Sequence, residues 1–154
     1  DPAICLSQME VLALLQGLQR LNLQTAKSLK MAISQAPSGL VQQMLRRHQQ
    51  GFESAAAELA HEFALPAPAN DKTGRLFAGS LLRGWESIKA AMGPQSHQSM
   101  LDASEEAEKM LLMAYRAALR EGLPEAARAI LLRQAMAVQR GIEALHWLRS
   151  CLPL

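Results

Sequence analysis

A helical repeat of apolar residues, sustained over four long stretches, constrains this chain more than any other feature. Along residues 6–35 the stripe is Val11, Leu14, Leu15, Leu18, Asn22, Thr25, Leu29 and Ile33, close to one residue in every helical turn. Residues 39–64 set Val41, Leu45, His48, Phe52, Ala55, Leu59 and Phe63 on one face. Residues 96–121 present Met100, Ala107, Leu111, Ala114 and Ala118, flanked by Leu101, Glu108, Leu112, Tyr115 and Leu119. Residues 124–150 turn Ala127, Ile130, Leu131, Gln134, Val138, Ile142 and Leu145 inward. Aromatic residues are only 4% of the 154, and Leu, Ala, Gln and Arg dominate, so a β-sandwich or barrel is excluded. The expected fold is an all-α, single-domain four-helix bundle.

The breaks between stretches suggest how the helices connect. Pro37-Ser38-Gly39 makes a tight turn, and Gly122 and Pro124 suit a helix end followed by a helix start. Two antiparallel hairpins result. Pro66, Pro68, Asn70 and Asp71 end the second helix. In the connection that follows, Phe77, Leu81, Trp85, Ile88 and Met92 recur every three or four residues, which predicts a short extra helix over residues 75–92, stopped by Gly93-Pro94. Ser96 or Ser99 is placed to cap the third helix. The connection either crosses the bundle's length, as in ferritin-like topology, or folds locally and leaves an up-down bundle. Cys5 and Cys151 distinguish the two: a crossover puts them at opposite ends, ~35–40 Å apart at 1.5 Å per residue, and an up-down bundle puts them at the same end. The crossover is expected, because the connecting stripe is long enough to lie along the bundle.

Charge and motifs exclude several functions. A formal net charge of +2, without clusters of arginine and aromatic residues, argues against nucleic acid. No apolar run approaches the roughly 20 residues of a membrane span, and no signal-like start is present, so a cytoplasmic location is expected. Residues 11–52 hold no Asp or Glu but carry Arg20, Lys27, Lys30, Arg46 and Arg47, which reads as a solvated basic face or as a surface for an acidic protein partner. The two cysteines form no CxxC and have no paired histidine, so zinc is not expected. No phosphate-cradling glycine loop and no anchored Ser/His/Asp set is present.

Two Glu-x-x-His motifs, Glu58 to His61 and Glu143 to His146, have the form of di-iron ligands in helical bundles. Ligands must face the core, however. At about 100° per residue, Glu58 lies a quarter-turn or so off the second helix's apolar face and His61 nearly opposite it; on the fourth helix Glu143 is nearly opposite and His146 about 100° off. Both motifs are expected to face mainly solvent. The polar residues that do fall inward are Asn22, Thr25, His48, Glu108 and Gln134, near mid-bundle. They form an expected buried polar layer centred on a Glu108–His48 pair, with Tyr115 one to two turns away. Trp147, off the fourth helix's apolar face, is with Leu148 a candidate contact between copies in a homo-oligomer.

The segment Gly79-Ser80-Leu81-Leu82-Arg83-Gly84-Trp85-Glu86-Ser87-Ile88-Lys89 resembles the "RGW…K" stretch of a bacterial ferritin-like family of unknown function, domain of unknown function 2383. Glu105, Glu108 and Tyr115 are similar to its third-helix pattern, and Glu58-Leu59 to the "EL" of its second. The likeness covers the second to fourth helices; the first departs, with Glu10 its only acidic residue. The resemblance implies a ferritin-like bundle and no established activity. The leading expectation is therefore a non-enzymatic bundle with an interaction or stress-related role, no cofactor and no intact di-iron site. The alternatives are an iron- or manganese-binding, oxidase-type protein using Glu58, His61, Glu108, Glu143 and His146, and a module that docks an acidic protein.

Overall fold

α1, Gln8–Gln35, begins at a reciprocal cap. The Ser7 amide donates to Glu10 Oε1 at 2.9 Å and the Glu10 amide donates to Ser7 Oγ at 3.1 Å, so two otherwise unpaired amide groups are satisfied. These hydrogen bonds hold the Glu10 carboxyl below its ordinary value. The cap explains why the helix starts at Gln8 and not at Leu6. The structure, a computed structural model, describes residues 6–35, 39–66 and 97–151. The extra helix expected over 75–92, the "RGW…K" segment and Cys5 lie outside them.

α2, Gly39–Glu62, ends two residues before the position expected from its apolar pattern. Ala64 takes a left-handed φ of 50°, and the Leu65 amide donates back to the Ala60 carbonyl at 3.0 Å. This is a Schellman-type stop made by alanine in place of the usual glycine. α3, His97–Leu119, is closed by Arg128, whose guanidinium donates to the carbonyls of Leu119 and Glu121, both at 2.7 Å. A cation there complements the negative end of the helix dipole. α4 then runs Glu125–Cys151.

One backbone hydrogen bond reveals the topology. The Leu6 amide donates to the Gly122 carbonyl at 3.3 Å, so the start of α1 sits against the α3–α4 turn. α1 is thus antiparallel to both α2 and α3, and α2 and α3 run parallel across the bundle. This is the crossover arrangement. It separates the start of α1 from the exposed Cys151 by the length of α4, 27 residues or ~40 Å at 1.5 Å each. Backbones approach closely between α1 and α2, α3 and α4, and α1 and α3. The fourth side, α2 against α4, is joined by side chains.

The core is a contiguous leucine-rich cluster, with Leu15, Leu18, Leu45, Leu59, Leu131 and Leu145 fully enclosed. Leu148 belongs to it at 1% exposure, which corrects its placement as an interface residue: it follows Leu145 by three positions and shares that face. Trp147 is 60% exposed. Among the described residues, no helix is long and apolar enough to cross a membrane.

Candidate functional site

α3 carries two polar side chains into the centre, Glu108 and Tyr115, both fully buried and two turns apart. Glu108 Oε2 lies 2.7 Å from His48 Nδ1 of α2, across the bundle diagonal. The His48 ring also meets Phe52 edge-on at 6.5 Å. The other carboxylate oxygen, Oε1, has no hydrogen-bond partner among the described residues. Burial pushes the Glu108 carboxyl up, against the lowering effect of the His48 hydrogen bond.

Gly141 of α4 provides the space this pair occupies. A Cβ there would lie 3.0 Å from Glu108 Oε1 and 3.3 Å from His48 Cε1. Glycine inside a helix costs about 0.5–1 kcal/mol relative to alanine. The close approach of a carboxylate accounts for its presence.

Two turns further along α3, a hydrogen-bonded chain crosses all four helices. Asn22 Nδ2 donates to the Leu18 carbonyl at 2.8 Å and to the Tyr115 hydroxyl at 2.9 Å. The Tyr115 hydroxyl donates to Gln134 Oε1 at 2.7 Å. Gln134 Nε2 donates to the Ala55 carbonyl at 3.2 Å and to Glu58 Oε1 at 2.7 Å. The two backbone carbonyls can only accept, so they orient both side-chain amides and with them the whole chain. Asn22 Oδ1 has no partner among the described residues. Burial pushes the Tyr115 phenol up, which keeps it a neutral donor.

Above this layer a cleft of ≈ 420 Å³ opens between α2 and α4. Gly51, Ser54, Ala55, Ala137 and Gly141 are the small residues along it, and Phe52 and Val138 give it apolar walls. Its floor includes Glu108, His48, Tyr115, Gln134 and Asn22. Arg47, Arg133 and Arg140 stand exposed around it. Arg133 pairs with Glu58, and its hydrogen bond holds that carboxyl below its ordinary value, against a smaller opposing effect of burial.

Glu58 therefore corrects the expectation that it faces mainly solvent: an edge position on α2 borders the gap to α4, where Gln134 and Arg133 reach it. His61 is 85% exposed, and Glu143 is also exposed. His146, 64% exposed, lies 3.8 Å from Glu105 Oε1 near the far end of the bundle. Among the described residues, no group of three His, Cys, Asp or Glu side chains could hold a metal ion. Thr25 is buried but stands apart from the layer, because its hydroxyl donates to the Leu21 carbonyl one turn back at 2.7 Å.

The helical facing did not place two residues inward, Glu105, which entered only through the family resemblance, and Gly141. Glu105 is buried and ion-paired to Lys109 at 2.9 Å and to Arg149 at 3.4 Å. Its signal was the Leu101–Glu105–Glu108–Leu112–Tyr115 spacing, which traces a second inward stripe on α3. Gly141 was legible as an isolated glycine inside a strong helical pattern.

No curated protein and no solved structure matches the chain. A protein family does match, over residues 10–121, more than half of the chain. The match takes in α1, α2 and α3 and stops before α4, whereas the resemblance pointed to the second through fourth helices. The chain belongs to the family described as Domain of unknown function (DUF2383).

Proposed function

We propose that this is a non-catalytic, ferritin-like binding bundle in which the cleft between α2 and α4 takes a small molecule. The polar layer beneath it shapes and orients the site and carries no iron or manganese. The observation behind this reading is the pair of buried acceptors on the cleft floor, Glu108 Oε1 and Asn22 Oδ1, that have no donor among the described residues. A buried acceptor left unpaired costs about 1–3 kcal/mol, and an occupant that supplies a donor recovers that cost. The cleft's volume and mixture of apolar walls with a few convergent polar groups suit such an occupant. The outward placement of His61 and Glu143 favours this reading over a di-iron centre.

Ligand-observed NMR with a fragment collection tests it, run on the full chain and on Ala137→Trp. Ala137 is exposed on the cleft wall, so an indole there covers the opening without entering the core. Fragments are expected to bind the parent protein and lose binding in the variant. No binding at all, or equal binding to both proteins, overturns the proposal.

A further inference from the structure

The charges around the cleft are unevenly matched. At the Gln134 end, Arg133 is neutralised by Glu58. At the other end, Arg47 directly precedes His48 on α2 and Arg140 directly precedes Gly141 on α4. His48 and Gly141 face each other across the Glu108 carboxylate. The two arginines therefore stand at one level of the bundle, one on each lip, above a buried acid. Both are exposed, and neither makes an ion pair among the described residues. Below them, Glu108 is 0% exposed, lines the cleft and has an oxygen without a donor among the described residues. One turn from that level, on the Gln134 side, Phe52 and Val138 give the cleft apolar walls.

We infer that the occupant is a short zwitterion, with a primary ammonium that reaches the enclosed Glu108 Oε1 as the cleft walls part around it and a carboxylate or phosphate-type anion between Arg47 and Arg140. This rests on the reading of the cleft as a binding site. In its ionised form the Glu108 carboxylate only accepts, so the group facing it must donate, and a cation there favours that ionised form. An ammonium donates and also supplies the charge that a buried carboxylate lacks; a hydroxyl supplies only the bond. The anionic end follows from two guanidiniums without an ion pair among the described residues, whose planar forks fit carboxylate and phosphate oxygens. A methylene spacer suits the apolar walls that Phe52 and Val138 give the cleft beside it.

Calorimetric titration of the full chain tests the inference. The probes are ω-amino carboxylates with two to five methylenes, 3-aminopropylphosphonate, and three truncated controls: pentanoate, pentylamine and 5-hydroxypentanoate. At least one zwitterion is expected to bind tenfold or more tighter than every control. The better of the carboxylate and phosphonate arms identifies the anion. Arg47→Gln and Arg140→Gln, both surface changes, are expected to weaken the zwitterion about tenfold and to leave pentylamine unchanged. Raised salt is expected to weaken zwitterion binding in the parent protein. If fragments bind in the cleft but no zwitterion exceeds its truncated controls, the ligand class is wrong and the binding reading stands. If 5-hydroxypentanoate binds as well as its amino counterpart, the ammonium assignment is wrong. If nothing binds, both proposals fall.

Discussion

Gly141→Ala should destabilise this protein, although glycine-to-alanine changes inside helices ordinarily do the reverse. Gly51 supplies the control: it lies within α2, and a Cβ built there meets nothing within 4 Å. Gly51→Ala should therefore yield the ordinary gain of about 0.5–1 kcal/mol. At Gly141 the new Cβ lies 3.0 Å from Glu108 Oε1 and 3.3 Å from His48 Cε1, so the pair must give by a few tenths of an ångström. Glu108 is enclosed and has little room to move, and the contact most exposed to this push is its 2.7 Å hydrogen bond to His48. Weakening a buried hydrogen bond to a charged group costs about 1.5–3 kcal/mol. Subtracting the helix gain leaves Gly141→Ala about 0.5–2.5 kcal/mol less stable than the parent, and about 1.5–3 kcal/mol less stable than Gly51→Ala. Urea unfolding followed by circular dichroism measures this directly, and in a chain of this size each kcal/mol moves the thermal midpoint by about 2–4 °C. If Gly141→Ala stabilises as much as Gly51→Ala, the glycine is not there to admit the carboxylate and the reasoning is refuted.

Three further outcomes are expected. Ala64→Gly should stabilise by ~1 kcal/mol, since glycine adopts the left-handed φ of 50° without a Cβ penalty; a loss of stability in urea unfolding would contradict the Schellman-type stop. Glu108 is raised from its ordinary 4.5, so above pH 4.5 the unfolded chain ionises first, the folded state holds the extra proton, and stability falls as pH rises toward the folded value. The stability of Glu108→Gln relative to the parent should therefore increase upward from pH 4.5; Glu10 and Glu58, lowered in the fold, lose their stabilisation as pH falls below 4.5, but both proteins retain them and their effects cancel. A flat or falling difference would contradict the placement of Glu108. Loading with Fe(II) or Mn(II), desalting and mass spectrometry should find no stoichiometric metal; two retained ions per chain, lost in Glu58→Ala, would restore the di-iron alternative.

The fold was legible because its determinants are local and periodic. The stripe from Val11 to Ile33 and that from Ala127 to Leu145 specify helices whose inward residues follow from spacing alone. Helix ends were less legible: the Ser7–Glu10 cap and the left-handed Ala64 depend on particular hydrogen bonds and on a backbone angle rare for alanine. Helical facing brings His48 and Glu108 toward the same interior, but whether two inward groups meet depends on the crossover, which makes α2 and α3 parallel. Edge positions were the least legible. Glu58 sits beside the gap between α2 and α4, and no pattern within one helix reveals how far a neighbouring helix stands away. Leu148 shows the converse: its position within a turn of Leu145 was sufficient to place it inside.

The most direct test of the binding site is a ¹H–¹⁵N correlation spectrum of the full chain, titrated with a fragment that binds. Shifts are predicted to concentrate at the amides of Gly51, Ala55, Ala137 and Gly141, four of the small residues along the α2–α4 cleft. Shifts centred instead on the far end of the bundle around His146 and Arg149, or no shifts at saturating fragment, would contradict it.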